Sequence, residues 1–145
     1  MPACTAAMLK LGYLGGEGAT GHGELGFSLT NESGNPCHTY GYPGVQFLSS
    51  AGSALPTTST RTTDDFFGHL PLSGLSVAAG SEVSFRLVTT HGESSDAGCT
   101  TAAQLQVIPP NDTHTLVVMI PNGTYECGTA TVSPLQPGTT AFRGG

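Results

Sequence analysis

Apolar and polar residues alternate with period two along four stretches of this chain, the spacing expected of a strand that turns one face to a core. In residues 24–30, Leu25, Phe27 and Leu29 fall on one side while Gly26, Ser28 and Thr30 fall on the other, which predicts a half-buried strand. Residues 82–89 repeat the pattern with Val83, Phe85 and Leu87. Leu105 and Val107 alternate ahead of Pro109-Pro110, and Leu116, Val118 and Ile120 do so ahead of Pro121, where the missing N–H groups end a ladder. Shorter candidates cover residues 8–14, 45–48, 75–77 and 129–132, about eight strands in all.

Helical spacing of apolar residues is not found over any long window, and Gly or Pro interrupts nearly every extended stretch. The expected fold class is therefore all-β: an immunoglobulin-like two-sheet β-sandwich with two disulfides, with a small open barrel as the alternative. Any likeness to antibody domains would be architectural, because the chain has no Trp to fill their central core position. Residues 15–23 are dense in Gly and read as a mobile connection between the first two strands. Residues 49–63 read as a Ser/Thr/Ala/Gly loop with one charge, Arg61. Neither stretch is long enough to separate two cores, so residues 1–145 are expected to form one domain.

Composition narrows the partners. The 145 residues carry 4 Lys+Arg and 10 Asp+Glu for a formal charge of -6, which disfavours nucleic acid or any other partner held through phosphates. No apolar run approaches the roughly 18 residues of a membrane span. The opening MPACTAAMLKLGYLGG lacks the order of a signal peptide, leaving a cytosolic protein or the mature part of an exported one. The cysteines favour the second. Cys4, Cys37, Cys99 and Cys127 form an even set with neither C-x-x-C nor zinc-finger spacing, so disulfides are the better reading. Pairing Cys4 with Cys37 and Cys99 with Cys127 brackets the ends of two expected strand pairs, and such bridges persist in oxidising compartments.

Three ordered segments resemble an actinobacterial exported and lipoprotein family, domain of unknown function 4232: LTNESGNPCHTYGYPGV (29–45), LSVAAGSEVSFRL (75–87) and CTTAAQLQVIPPNDT (99–113). With Cys4 and Cys127 at the ends, the resemblance spans almost the whole chain. Thr39, two residues after the second Cys, stands where the family usually has an apolar residue. The resemblance implies an exported, disulfide-bonded β-sandwich in a high-GC Gram-positive bacterium, and it implies no activity.

Motifs that carry chemistry are few. GEGATG (16–21) has the letters of a dinucleotide fingerprint, but a strand rather than a helix follows it. His22, His38, His69, His91 and His114 are scattered at turns and strand ends, without ligand spacing. Met8 and Met119 are expected in the core rather than on a metal. Ser73, His69 and Asp64 offer a nominal triad that any Ser-rich chain would offer. Asp64 and Asp65 diverge on a strand and read as a solvated turn, while Glu93 and Asp96 lie in a loop able at most to hold calcium weakly. Asn31, Asn111 and Asn122 begin N-x-[ST] triplets: glycan sites in a secreted eukaryotic protein, turn asparagines in a bacterial one.

The segment HTYGYPGVQF (38–47) alone combines aromatics, Gly and Pro with a polar rim. Its candidate binding surface is His38, Tyr40 and Tyr42, with Tyr42 better read as packing beneath the turn and Tyr40 open to either role. These features point to a non-catalytic secreted or cell-envelope binding module for another protein or wall glycan, with no cofactor and no catalytic or metal site. The alternatives are an exported metal or small-ligand carrier and a hydrolase with an unrecognised site.

Overall fold

The computed structural model describes residues 1–19, 22–90 and 99–143. Among the described residues, a single turn of 3-10 helix, Ala6–Met8, precedes thirteen strands. They are β1 (Leu9–Ala19), β2 (His22–Asn31), β3 (Cys37–Thr39), β4 (Gly44–Leu48), β5 (Thr58–Arg61), β6 (Asp64–Asp65) and β7 (Gly68–His69). There follow β8 (Leu75–Val77), β9 (Glu82–Thr90), β10 (Thr100–Ile108), β11 (Leu116–Glu126), β12 (Thr129–Val132) and β13 (Gln136–Pro137).

The larger sheet runs β1-β2-β9-β12-β5, with β13 also paired to β9, and the smaller runs β11-β10-β4. Taken in chain order, β1, β2, β4, β9, β10 and β11 occupy the A, B, C, E, F and G places of an immunoglobulin-type sandwich, which sorts A-B-E from C-F-G. The D place beside β9 is filled by β12, which arrives after the G strand, while the chain between β4 and β9 makes the peripheral β5 to β8. Inner-face residues of both sheets form one core: Leu25, Phe27, Leu29, Val83, Phe85 and Leu87 from one, Phe47, Leu105, Val107 and Ile120 from the other. Phe27 and Phe85 face each other across β2 and β9 with ring centroids 5.5 Å apart.

Both disulfides form with the expected partners, Cys4–Cys37 and Cys99–Cys127. The first is buried and ties the N-terminal segment to β3, where the Cys4 N–H also donates to the His38 carbonyl at 2.8 Å. The second closes the end of the β10–β11 pair, just beyond the Thr100–Glu126 register.

Four expectations change. Residues 15–19 are strand rather than loop, because β1 stays paired to β2 as far as Ala19–His22 after a bulge between Tyr13 and Gly15. Within 49–63, Thr58–Arg61 adds to the sheet as a parallel edge strand on β12. Met119 is 61% exposed, since Leu116, Val118 and Ile120 take the inner face and turn Val117 and Met119 outward. The half-buried reading of residues 24–30 also fails. Glu24, Ser28, Ser84 and Arg86 on the outer face are themselves buried, covered by the C-terminal segment and the β6–β7 hairpin. Gly26 makes this cover possible, for a Cβ there would stand 2.4 Å from Phe142 Cγ.

Candidate functional site

The segments 40–44 and 108–112 meet Arg61 and Leu72 around an open cleft of about 500 Å³. Each wall is fixed by its own chemistry. Gly41, at φ 107°, turns the chain between the two tyrosines, and its carbonyl accepts from the Leu135 N–H at 2.9 Å. Opposite, Pro109 to Asp112 form a turn closed by the Asp112 N–H on the Pro109 carbonyl. Asn111 takes φ 62° at its third position, a conformation that Asn tolerates better than most residues. Gly44 and Ile108 pair with each other at the floor.

The two tyrosines play different parts. Tyr42 packs on the edge of the core, and the Arg61 guanidinium lies over its ring with Cζ 5.8 Å from the centroid. Tyr40 is 55% exposed on the rim, beside exposed Leu72. His38 is exposed on β3, between Ala3 and Ser76, and does not line the cleft. Arg61, Leu72 and the 108–112 turn do line it. Only Arg61 had a visible signal, as the lone charge in its stretch; the turn reaches the cleft through pairing between strands distant in sequence.

Asp112 divides the cleft from a second hollow lined by Thr5 to Ala7 and His114. Its carboxylate is bonded on that second side, accepting from the Ala6 N–H at 2.7 Å, the Thr113 N–H at 2.7 Å and the His114 N–H at 3.1 Å. These donors, with the His114 ring at 3.0 Å, hold its pKa far below the usual carboxylate range.

The histidines among the described residues do not converge. His69 Nδ1 meets Asp64 at 2.8 Å on the surface, His22 stacks on Phe66 at 3.9 Å, and His91 lies outside the described residues, as do Glu93 and Asp96. Among the described residues no group of three His, Cys, Asp or Glu side chains stands close enough to hold a metal ion. The nominal triad has its His69–Asp64 contact, but no hydrogen bond joins exposed Ser73 to it. The carboxylate of Asp65 is not solvated: its side chain is 3% exposed and forms a two-point pair with Arg86, at 2.8 Å to Nε and 2.9 Å to Nη2. Glu24, one diagonal step from Arg86 on the paired strand, sits 3.7 Å from its Nη1 and accepts the Arg143 N–H at 3.0 Å. Burial raises the Glu24 pKa against the lowering effect of these partners. This ionic cluster was missed because its members lie in three separate segments and the cover over the sheet leaves no period in the sequence.

Asn31 is buried and cannot carry a glycan. Its amide donates to the Asn35 and Val77 carbonyls while its oxygen accepts from Ser33. Asn111, at φ 62°, is a turn residue, whereas Asn122, at φ 63°, lies within β11, which continues past Pro121 through an irregular stretch between the Met119–Gln104 and Thr124–Ala102 pairs instead of ending there.

No curated protein and no solved structure matches the chain. A family model described as a domain of unknown function, DUF4232, matches residues 4–141, from the first disulfide cysteine to the segment that covers the larger sheet, and the chain belongs to that family.

Proposed function

We propose that this protein is a non-catalytic binding module, exported to the envelope or surroundings of an actinobacterial cell, that recognises its partner through the Tyr40–Arg61–Pro110 cleft. One observation carries the reading: an exposed tyrosine and an arginine share a cleft whose walls are held by paired strand ends and turns. Aromatic and arginine side chains on a rigid frame lose little conformational freedom on binding, which suits recognition. Two disulfides support the exported location, since such bridges persist where the medium is oxidising. Attachment through a lipid would agree with the lipoprotein character that the family resemblance implies.

The test is capture from an envelope extract by the oxidised protein and by its Tyr40→Ala variant, both checked for an unchanged fold by circular dichroism. Recovery of a wall polymer or a protein by the wild type, lost in the variant, supports the reading. Recovery of nothing, or equal recovery by both, counts against it.

A further inference from the structure

Among the described residues, Arg61 is the one Lys or Arg in the lining of the cleft. Of the four Lys and Arg residues, Arg86 is buried against Asp65, Arg143 lies over the Phe67 ring with Cζ at 5.0 Å, and Lys10 stands on β1 away from the cleft. Arg61 is exposed, and among the described residues it forms no ion pair although acids outnumber bases 10 to 4. Its guanidinium is steadied over Tyr42 at 5.8 Å, a stacking that engages the face of the group and keeps its in-plane N–H donors available to a ligand. The nearest acid of the lining, Asp112, has its oxygens taken by Ala6, Thr113 and His114 on the far side of its turn.

Resting on the proposed binding reading, we propose that the cleft binds a saccharide bearing one carboxylate, its sugar ring on Tyr40 and its carboxylate on Arg61. A sugar acid fits better than an extended peptide. The walls are turns, Pro109 and Pro110 have no N–H to donate, and Gly44 and Ile108 have already paired with each other, so the lining has little to offer a peptide backbone. What it does present is ring surface and a fork of donors. The cavity of about 500 Å³ lies within the size range of small-ligand clefts. A monoanion also fits better than a phosphate. One guanidinium neutralises one carboxylate, whereas a phosphate dianion would leave extra negative charge on a protein already at -6.

The experiment is a titration of the oxidised, isotope-labelled protein followed by amide chemical shifts, with four probes: methyl glucuronide, methyl glucoside, glucose 6-phosphate and an acetylated dipeptide acid. The glucuronide is expected to shift residues 40–44, 61, 72 and 108–112 and to bind at least about 5-fold more tightly than the glucoside, with the difference shrinking at high salt. Arg61→Gln should abolish that preference, and Tyr40→Ala should weaken both sugars alike. Equal affinity for glucuronide and glucoside in the wild type, or a preference unchanged in Arg61→Gln, overturns the proposal. So does tighter binding of the phosphate. Arg61-dependent binding of the dipeptide acid without the glucuronide also overturns the sugar assignment, but leaves the cleft as a binding site. Absence of any shift at the cleft overturns the saccharide proposal, while the wider module reading stands or falls on Tyr40-dependent capture.

Discussion

Arg86 gives its Nε and Nη2 to Asp65 and leaves Glu24 with a longer contact at 3.7 Å, so the two buried carboxylates are not equivalent. Removing Asp65 strands a guanidinium whose side chain is 3% exposed, and Asp65→Ala should cost about 3–5 kcal/mol in urea unfolding. Glu24 should behave in the opposite way. One of its oxygens, Oε1, has no hydrogen-bond partner, and burial raises its pKa, so the folded state disfavours its charged form. A raised pKa gives stability that is complete below the unfolded value near 4.5 and is lost as pH rises through the folded one. Glu24→Gln should therefore match the wild type at pH 4 and gain on it as pH rises to 7. Asp112 carries the other sign: its lowered pKa gives stability present above the unfolded value near 3.8 and lost as pH falls toward the folded one. Melts of Asp112→Asn and wild type should differ at pH 6 and converge as the medium is made strongly acidic.

At the scale of elements, the outer face of β2 and β9 is shaped to receive the last turn of the chain. Gly26 leaves the space that the Phe142 ring occupies, the Ala141 N–H donates to Ser84 Oγ at 3.1 Å, and the Ala141 carbonyl accepts from Arg86 at 3.3 Å. Gly26→Ala would drive a methyl into that ring and should destabilise by about 1–3 kcal/mol, with the largest amide shift changes in residues 139–143. The inner face was legible because period-two alternation in Leu25, Phe27, Leu29 and in Val83, Phe85, Leu87 reports burial on one side. Nothing in that alternation reports a cover on the other side. Glycine, serine and a lone charge look the same whether water or a C-terminal segment lies above them. The Gly-dense 15–19 was misread for a related reason: glycines that weaken a strand alone are held by a long antiparallel partner, down to Ala19–His22. Of the cleft, Tyr40 and Tyr42 were visible as an aromatic cluster, whereas the 108–112 wall reaches them only through the β4–β10 register.

Across the whole molecule, the two disulfides brace opposite parts of the sandwich, and they differ in access. Cys4 and Cys37 are 2% and 0% exposed beneath the N-terminal segment, while Cys99 and Cys127 are half-buried at the end of the β10–β11 pair. Thiol exchange requires an attacking thiolate to reach a sulfur, so mild reductant should open Cys99–Cys127 first, and alkylation followed by peptide mapping should find label there before Cys4 or Cys37. The bridges close loops with sequence separations of 33 and 28. On the chain-entropy account each such loop contributes about 3–4 kcal/mol by restricting the unfolded chain. A chain of this size shifts its melting temperature by about 2–4 °C per kcal/mol, so reducing both bridges should lower the melt by well over about ten degrees. About half of the total drop should come with Cys99–Cys127 alone, because the two loops are nearly equal in length. Calorimetry of the oxidised, singly reduced and fully reduced forms checks both steps. A melt unchanged in reductant would mean that the sandwich holds without its bridges, and the case for an oxidising compartment would lose its physical basis.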